Sequence, residues 1–191
     1  MPTAVFKVTI HMVSSLDGII AKKDNSVTWF QTSDYYKKGV NVTKRDAEEF
    51  LKSIDCYIMG SRTYEHALEL SKSYGWAYGD VQTIVVTHKN LPIDRQNIET
   101  YSGDLNKLVT KRLKPKYKNV WVVGGATVAK DFLRLNLAHE IRQSILPIIL
   151  GEGIRFFDQI AQEQALHLKD VTAYKSGTVE LCYEIKNNRT A

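Results

Sequence analysis

The chain has 191 residues, a net charge of +5 and a 43% hydrophobic composition. That length suits one ordinary domain, and the apolar share is ample for a packed core and too high for intrinsic disorder. Mean hydropathy is −0.27, no apolar run approaches the ~18 residues needed to cross a bilayer, and Met1-Pro2-Thr3-Ala4-Val5-Phe6-Lys7 lacks the basic-then-apolar pattern of an export signal, which excludes a membrane protein, a collagen-like fibre and a disulfide miniprotein and leads us to expect a cytoplasmic location.

In chain order, residues 5–13 read as a strand (Val5, Phe6, Val8, Ile10, Met12, Val13) that ends in the loop Ser14-Ser15-Leu16-Asp17-Gly18. Residues 22–41 are polar with scattered aromatics (Trp29, Phe30, Tyr35, Tyr36), the pattern of a long excursion over a pocket. Residues 43–53 predict a helix in which Thr43 is the cap and Asp46 completes a capping box. Cys56-Tyr57-Ile58-Met59 is a short apolar run that stops at Gly60-Ser61-Arg62-Thr63-Tyr64, with helix continuing over residues 65–70. A β-branched run over residues 83–87 ends at His88-Lys89-Asn90. In residues 105–118, Leu105, Leu108, Val109 and Leu113 recur at helical spacing. The lysines between them read as the wet face of an amphipathic helix rather than an RNA-binding patch, since no interleaved aromatics offer bases a stacking surface.

Val120-Trp121-Val122-Val123 then runs straight into Gly124-Gly125, and residues 126–137 predict a helix with Val128, Phe132, Leu133 and Leu137 on its apolar side. Residues 141–150 are strand-like, interrupted by Pro147. Residues 166–174 and 179–185, joined at Lys175-Ser176-Gly177, predict a closing antiparallel hairpin, and residues 186–191 read as a loose tail. Short apolar strands alternating with helices predict an α/β fold: a mostly parallel sheet covered by helices on both faces, in one domain spanning 1–191.

Cys56 and Cys182 read as core thiols of a reducing compartment. With no Cys-x-x-Cys or His-Glu-x-x-His spacing and five scattered histidines, no metal site is expected. There is no Walker A loop, no standard Rossmann fingerprint and no Gly-x-Ser-x-Gly elbow. What remains is one design used three times. An apolar strand ends in small or polar residues and a helix or loop starts at once, at Gly60-Ser61-Arg62-Thr63, at Thr87-His88-Lys89 and at Gly124-Gly125-Ala126-Thr127. The carboxyl ends of parallel strands share one rim, where ligands bind. A helix amino terminus there offers free N–H groups and partial positive charge to a phosphate. Each signal is weak alone, and the positive net charge suits an anionic partner without choosing one.

Read in order, Ser15-Leu16-Asp17-Gly18-Ile19-Ile20-Ala21, Met59-Gly60-Ser61-Arg62-Thr63-Tyr64, Val86-Thr87-His88, Val122-Val123-Gly124-Gly125-Ala126, the stretch from Pro147 to Phe157, and Gly177-Thr178-Val179-Glu180-Leu181-Cys182-Tyr183 resemble the dihydrofolate reductase-like superfamily. The branch resembled is the reductase domain of riboflavin biosynthesis and its stand-alone bacterial relatives. The resemblance implies a three-layer α/β/α dihydrofolate reductase-like fold and an NADPH-dependent reductase that passes a hydride to a small heterocycle, such as a 5-amino-6-(5-phosphoribosylamino)uracil-like pyrimidine.

It further implies site roles. Val13, Ile20 and Ala21 would flank the nicotinamide. Gly60, Ser61, Arg62 and Thr63 would hold phosphates, and Thr87, His88 and Lys89 would meet the adenosine 2′-phosphate. Gly124, Gly125, Ala126, Thr127 and Val128 would cradle the pyrophosphate. Asp17 and Asp46 would assist catalysis, against readings as a turn residue and a capping partner. Trp29, Leu150 and Gly151 would line the substrate side, with Phe30, Tyr35, Tyr36, Trp76 and Tyr78 as further stacking candidates. The Trp-Pro segment of true dihydrofolate reductases and the zinc-binding residues of the riboflavin deaminase are missing from this sequence. A dihydrofolate reductase proper and a nucleotide-binding protein without catalysis are the alternatives. No nucleic-acid or membrane partner is expected, and a homodimer is expected by analogy alone.

Overall fold

The computed structural model describes residues 5–186, apart from the side chains of Lys44 and Asp46. The capping and catalytic expectations for Asp46 therefore lie outside the described residues, as does the tail expectation beyond Lys186. Apolar runs bounded by glycine or polar residues become strands, and the amphipathic stretches between them become helices. In chain order these are β1 (Lys7–Ser14), β2 (Ile19–Ala21), α1 (Lys44–Lys52), β3 (Cys56–Gly60), α2 (Ser61–Tyr74), β4 (Gln82–Val86), β5 (Ile98–Tyr101), α3 (Leu105–Lys107), β6 (Asn119–Gly124), α4 (Ala126–Arg134), β7 (Glu140–Ile145), β8 (Ile154–Arg155), β9 (Leu166–Ala173) and β10 (Val179–Ile185).

Among the described residues, eight strands form one sheet in the order β5-β4-β3-β6-β1-β7-β10-β9. The six from β5 to β7 are parallel, and β10 and β9 add an antiparallel hairpin. This is the mostly parallel α/β sheet with a closing hairpin that the sequence pattern predicts. Three differences have local causes. The basic helix stops short of residue 118: α3 continues as wider π-type turns over Leu108–Leu113, where the Lys114 N–H reaches back to the Val109 carbonyl, and Pro115 then offers no N–H to extend it. The edge strand β5 and the short ribbon of β2 with β8 escape the sequence pattern because runs of two to four residues show too little alternation. Lys186 is tied to the body, its N–H donating to the Ala165 carbonyl and its carbonyl accepting from the Gln164 side chain.

The two faces of the sheet differ in chemistry. Val8, Ile10, Met12 and Ser14 of β1 are buried and the residues between them are half-buried. The first face packs with Leu108, Val109 and Leu113 and with Val128, Phe132 and Leu133 of α4 into the larger apolar cluster. On the opposite face, Tyr57, Met59 and Val85 pack with Tyr64 and Leu68 of α2 and with Trp76 and Tyr78. Trp76 and Tyr78 are thus edge-to-face neighbours of Tyr64 and Tyr57 in a packed layer, which sets aside their expected role as stacking platforms for a substrate. Both cysteines are buried, and burial pushes the Cys56 thiol up to about 12, as for an inert core thiol.

Further along the same face, beside β1, the residues turn polar. Glu140 is 3% exposed. Lys169 donates to it at 2.8 Å and Lys7 stands 3.6 Å away. Burial works to raise this carboxyl, but the hydrogen bond from Lys169 and the charges of Lys7, Lys169 and Arg142 overcome it, so it lies below the ordinary range. A carboxylate depressed in the folded state contributes stability that is full above its unfolded value near 4.5 and is lost as pH falls through the lower folded value. Urea midpoints measured from neutral pH downward are therefore expected to hold until about the unfolded glutamate range and then fall. Glu140→Gln is expected to lower stability by about 1.5–3 kcal/mol near neutrality and to flatten that acid limb; an unchanged limb would contradict the pairing.

Candidate active site

The site is built by strand order. Parallel pairing of β3 with β6, and of β6 with β1, sets Gly60, Gly124 and Ser14 along one rim. Two helices start there, α2 behind Gly60 and α4 behind Gly125. Both have extended glycine at the cap, no side-chain cap hydrogen bond and no acidic residue in the first turn. Neither a cap side chain nor an acidic residue of the first turn therefore offsets their partial positive charges. The two ends adjoin: a Cβ added to Gly60 would lie 3.8 Å from the Gly125 nitrogen and 3.2 Å from a Val128 methyl, and one added to Gly125 would lie 3.5 Å from Thr63 Oγ1. The structure thus brings together two sequence-predicted groups, residues 60–63 and 124–128.

The third group lies behind the next strand. Thr87 is buried, its Oγ1 accepts from the Lys89 N–H at 3.0 Å, and His88 and Lys89 are exposed. Lys89 Nζ stands 3.4 Å from Glu65 of α2, which ties this turn to the helix that carries the exposed Arg62. On the other side of the rim, Val13 ends the half-buried face of β1, and Ile20 and Ala21 sit in the β2–β8 ribbon. Gly153 at φ +148° lets that ribbon close, since a Cβ there would lie 2.4 Å from the Ala21 carbonyl oxygen.

Asp17 joins the loop after β1 to the segment after β7. Its carboxylate accepts from Ser15 Oγ at 2.6 Å, from the Leu150 N–H at 3.1 Å and from the Gly151 N–H at 2.7 Å. Those hydrogen bonds, with Ser15 the strongest, carry its pKa down to about 2. At neutral pH it is an acceptor that holds two chain segments together and has no proton to give. Leu150 and Gly151 thereby meet Asp17 through their backbones. Trp29 is buried edge-on to Phe30, and its indole N–H finds no acceptor among the described residues, whereas Tyr35 and Tyr36 are exposed.

Sequence reasoning passed over the polar residues of the same sheet face. A hollow of about 380 Å³, within the range of small-molecule sites, is lined by His11, Phe50, Arg142, Thr172, Tyr174 and Glu180 among others. Glu180 accepts from Arg142 at 2.9 Å and from Ser144 Oγ at 3.2 Å, with His11 Nε2 at 3.5 Å. Burial would raise its carboxyl, and the hydrogen bonds from His11 and Ser144 with the charge of Arg142 bring it below the ordinary range. The one signal available in the sequence was a histidine, an arginine and a glutamate placed inside otherwise apolar strands.

The rim glycines differ in what they tolerate. Gly124 has φ +133°, and an added Cβ would meet Met12 Sδ at 2.9 Å; Gly125 has φ −81° and only the Thr63 contact. Gly124→Ala is expected to cost about 1–3 kcal/mol in urea unfolding and Gly125→Ala distinctly less; equal costs would show that this packing does not constrain the turn.

The family profile described as the RibD C-terminal domain matches residues 6–180. YwjB of Bacillus subtilis (strain 168) is 30% identical over 164 residues, which cover 85% of this chain and 89% of that protein. YyaP of the same organism is 25% identical over 186 residues, 93% of this chain and 94% of that one. Among solved structures, a proposed riboflavin biosynthesis protein from Shewanella sp. PV-4 superposes with a TM-score of 0.79 at 18% identity, over 95% of this chain and 100% of its own. The Thermotoga maritima diaminohydroxyphosphoribosylaminopyrimidine deaminase/5-amino-6-(5-phosphoribosylamino)uracil reductase superposes with a TM-score of 0.66 at 14% identity, over 95% of this chain and 57% of its own. At these identities the structural likenesses speak for the fold, which is the three-layer dihydrofolate reductase-like α/β fold of RibD proteins. With the profile spanning most of its length and the fold in agreement, the chain belongs to the RibD C-terminal domain family.

Proposed function

We propose that the protein is an NADPH-dependent reductase of a small nitrogen heterocycle. The observation that carries this reading is the pair of adjoining, uncapped helix starts at Gly60 and Gly125. Two adjoining amino termini favour an anion beside them, and the glycines leave room for it to approach the backbone. A dinucleotide pyrophosphate fits that description, and RibD-type domains, the Thermotoga protein among them by its name, are reductases.

In this reading the amides of residues 60–63 and 124–128 bind the pyrophosphate. Arg62 adds charge at the adenosine end, and Thr87, His88 and Lys89 take the 2′-phosphate, with Lys89 exchanging Glu65 for the ligand. Val13, Ile20 and Ala21 flank the nicotinamide. When bound, the coenzyme supplies the hydride. The chain's own task is alignment and exclusion of water. Asp17, held ionised, is a positioning residue that fixes the loop after β1 against Leu150 and Gly151. The heterocycle lies on the β1–β7–β10 side, where Phe50 of α1 lines the hollow, with Asp46 and Trp29 as further candidate contacts.

Calorimetry with NADPH and NADH, together with the loss of NADPH near-ultraviolet absorbance on adding pteridines or aminopyrimidines, tests the proposal. Arg62→Ala is expected to weaken NADPH roughly tenfold and NADH much less; equal weakening would remove the phosphate role of that charge. Gly125→Val is expected to abolish coenzyme binding in a protein whose circular dichroism is unchanged. Binding that survives Gly125→Val would place the pyrophosphate elsewhere.

A further inference from the structure

His11 is a polar residue in the middle of the central strand, and the roles proposed above leave it unused. It lies beside Arg142 in the β1–β7 register and faces the same side of the sheet as Val13, two residues nearer the rim. Its ring stacks on Trp121 with centroids 4.8 Å apart and stands edge-on to Phe50. Nε2 is 3.2 Å from Ser144 Oγ and 3.5 Å from Glu180 Oε2. Ser144 Oγ commits its own hydrogen to Glu180 Oε2, so both groups near Nε2 are acceptors, and the neutral imidazole carries its proton there. The lone pair is then on Nδ1, which is buried and has no hydrogen-bond partner among the described residues. Buried polar nitrogen atoms without partners are uncommon, and this one belongs to a residue that lines the 380 Å³ hollow.

We propose that His11 is a substrate-binding residue: its Nδ1 accepts a hydrogen bond from a ring N–H of the flat heterocycle, and Glu180, acting through Nε2, is the positioning residue that keeps the lone pair on Nδ1. Arg142 is not free for this task, because its guanidinium bonds Glu180 and lies over the Phe50 ring. Glu180 is not free either, since Arg142, Ser144 and His11 surround its carboxylate. Nδ1 is closed off from water, so a ligand reaches it as a neighbouring side chain yields. Phe50 is suited to yield, being carried on α1, a helix whose other described residues are exposed. The assignment rests on the reductase reading for the location of the substrate, and it names the polar group that selects a heterocycle bearing N–H over one that lacks it.

The test needs no coenzyme, so its failure is distinct from failure of NADPH binding. Lumazine, whose only polar hydrogens are ring N–H groups, and 1,3-dimethyllumazine, which has none, are titrated into the protein by calorimetry. The wild type is expected to bind lumazine about tenfold more tightly or better. His11→Phe keeps a ring against Trp121 and Phe50 and removes both ring nitrogens, and is expected to abolish the preference, lumazine then binding no more tightly than the dimethyl compound. In nitrogen-15 spectra of the wild type, which involve no substitution, the His11 Nδ1 resonance is expected to move upfield on saturation with lumazine and not with the dimethyl compound. Glu180→Gln is expected to mix the two tautomers in the same spectra. No binding of lumazine, a preference that persists in His11→Phe, or an Nδ1 resonance that ignores lumazine would each overturn the assignment.

Discussion

Two helices begin side by side at the ends of neighbouring strands, and neither has a side-chain hydrogen bond at its cap. A helix end left this way is ordinarily satisfied by serine, threonine or aspartate at the cap, or by water. Here both caps are glycine, and the register of β3 on β6, with its slip between Ile58 and Met59, brings Met59 beside Gly124. The positive ends of α2 and α4 cannot be moved apart without breaking that ladder. The rest of the rim packs closely about them. Gly60 leaves room for Val128, Gly124 sits over Met12, and Thr63 lies against Gly125.

The sheet behind the rim is chemically lopsided. One face is a continuous apolar layer under the helices after β5 and β6. The other begins as an aromatic layer beneath α2 and becomes a buried polar network beside β1, β7 and β10, where Lys7 and Lys169 hold Glu140 and Arg142 holds Glu180. Such groups are costly to bury and, once buried, must be paired. A network of this kind specifies donors and acceptors at fixed places, which an apolar layer does not.

Asp17 shows how position is transmitted to the rim. Its three hydrogen bonds come from its own loop and from the segment after β7, so the loop after β1 and residues 150–151 form one unit. The Phe156 N–H donating to the Gly18 carbonyl closes the same unit from the other side. Those bonds hold the carboxylate ionised, and the ionised group braces the two segments against each other.

The periodicity of residues 5–13, 83–87, 120–123 and 179–185 was enough to read the strands, because alternation or an unbroken β-branched run is a local property of the chain. The glycine turns at Gly60 and Gly124 were legible for the same reason: a strand that stops at glycine and restarts as helix is visible without a partner. What the local signal could not reach was adjacency. That Gly60 and Gly125 meet, that Trp76 and Tyr78 are packed under α2 rather than free to stack, and that His11, Arg142 and Glu180, up to 169 positions apart in the chain, enclose one hollow follow only from strand order and register. Pairing in a sheet joins residues with no sequence relation to one another, and burial then decides which of their polar atoms keep a partner and which do not.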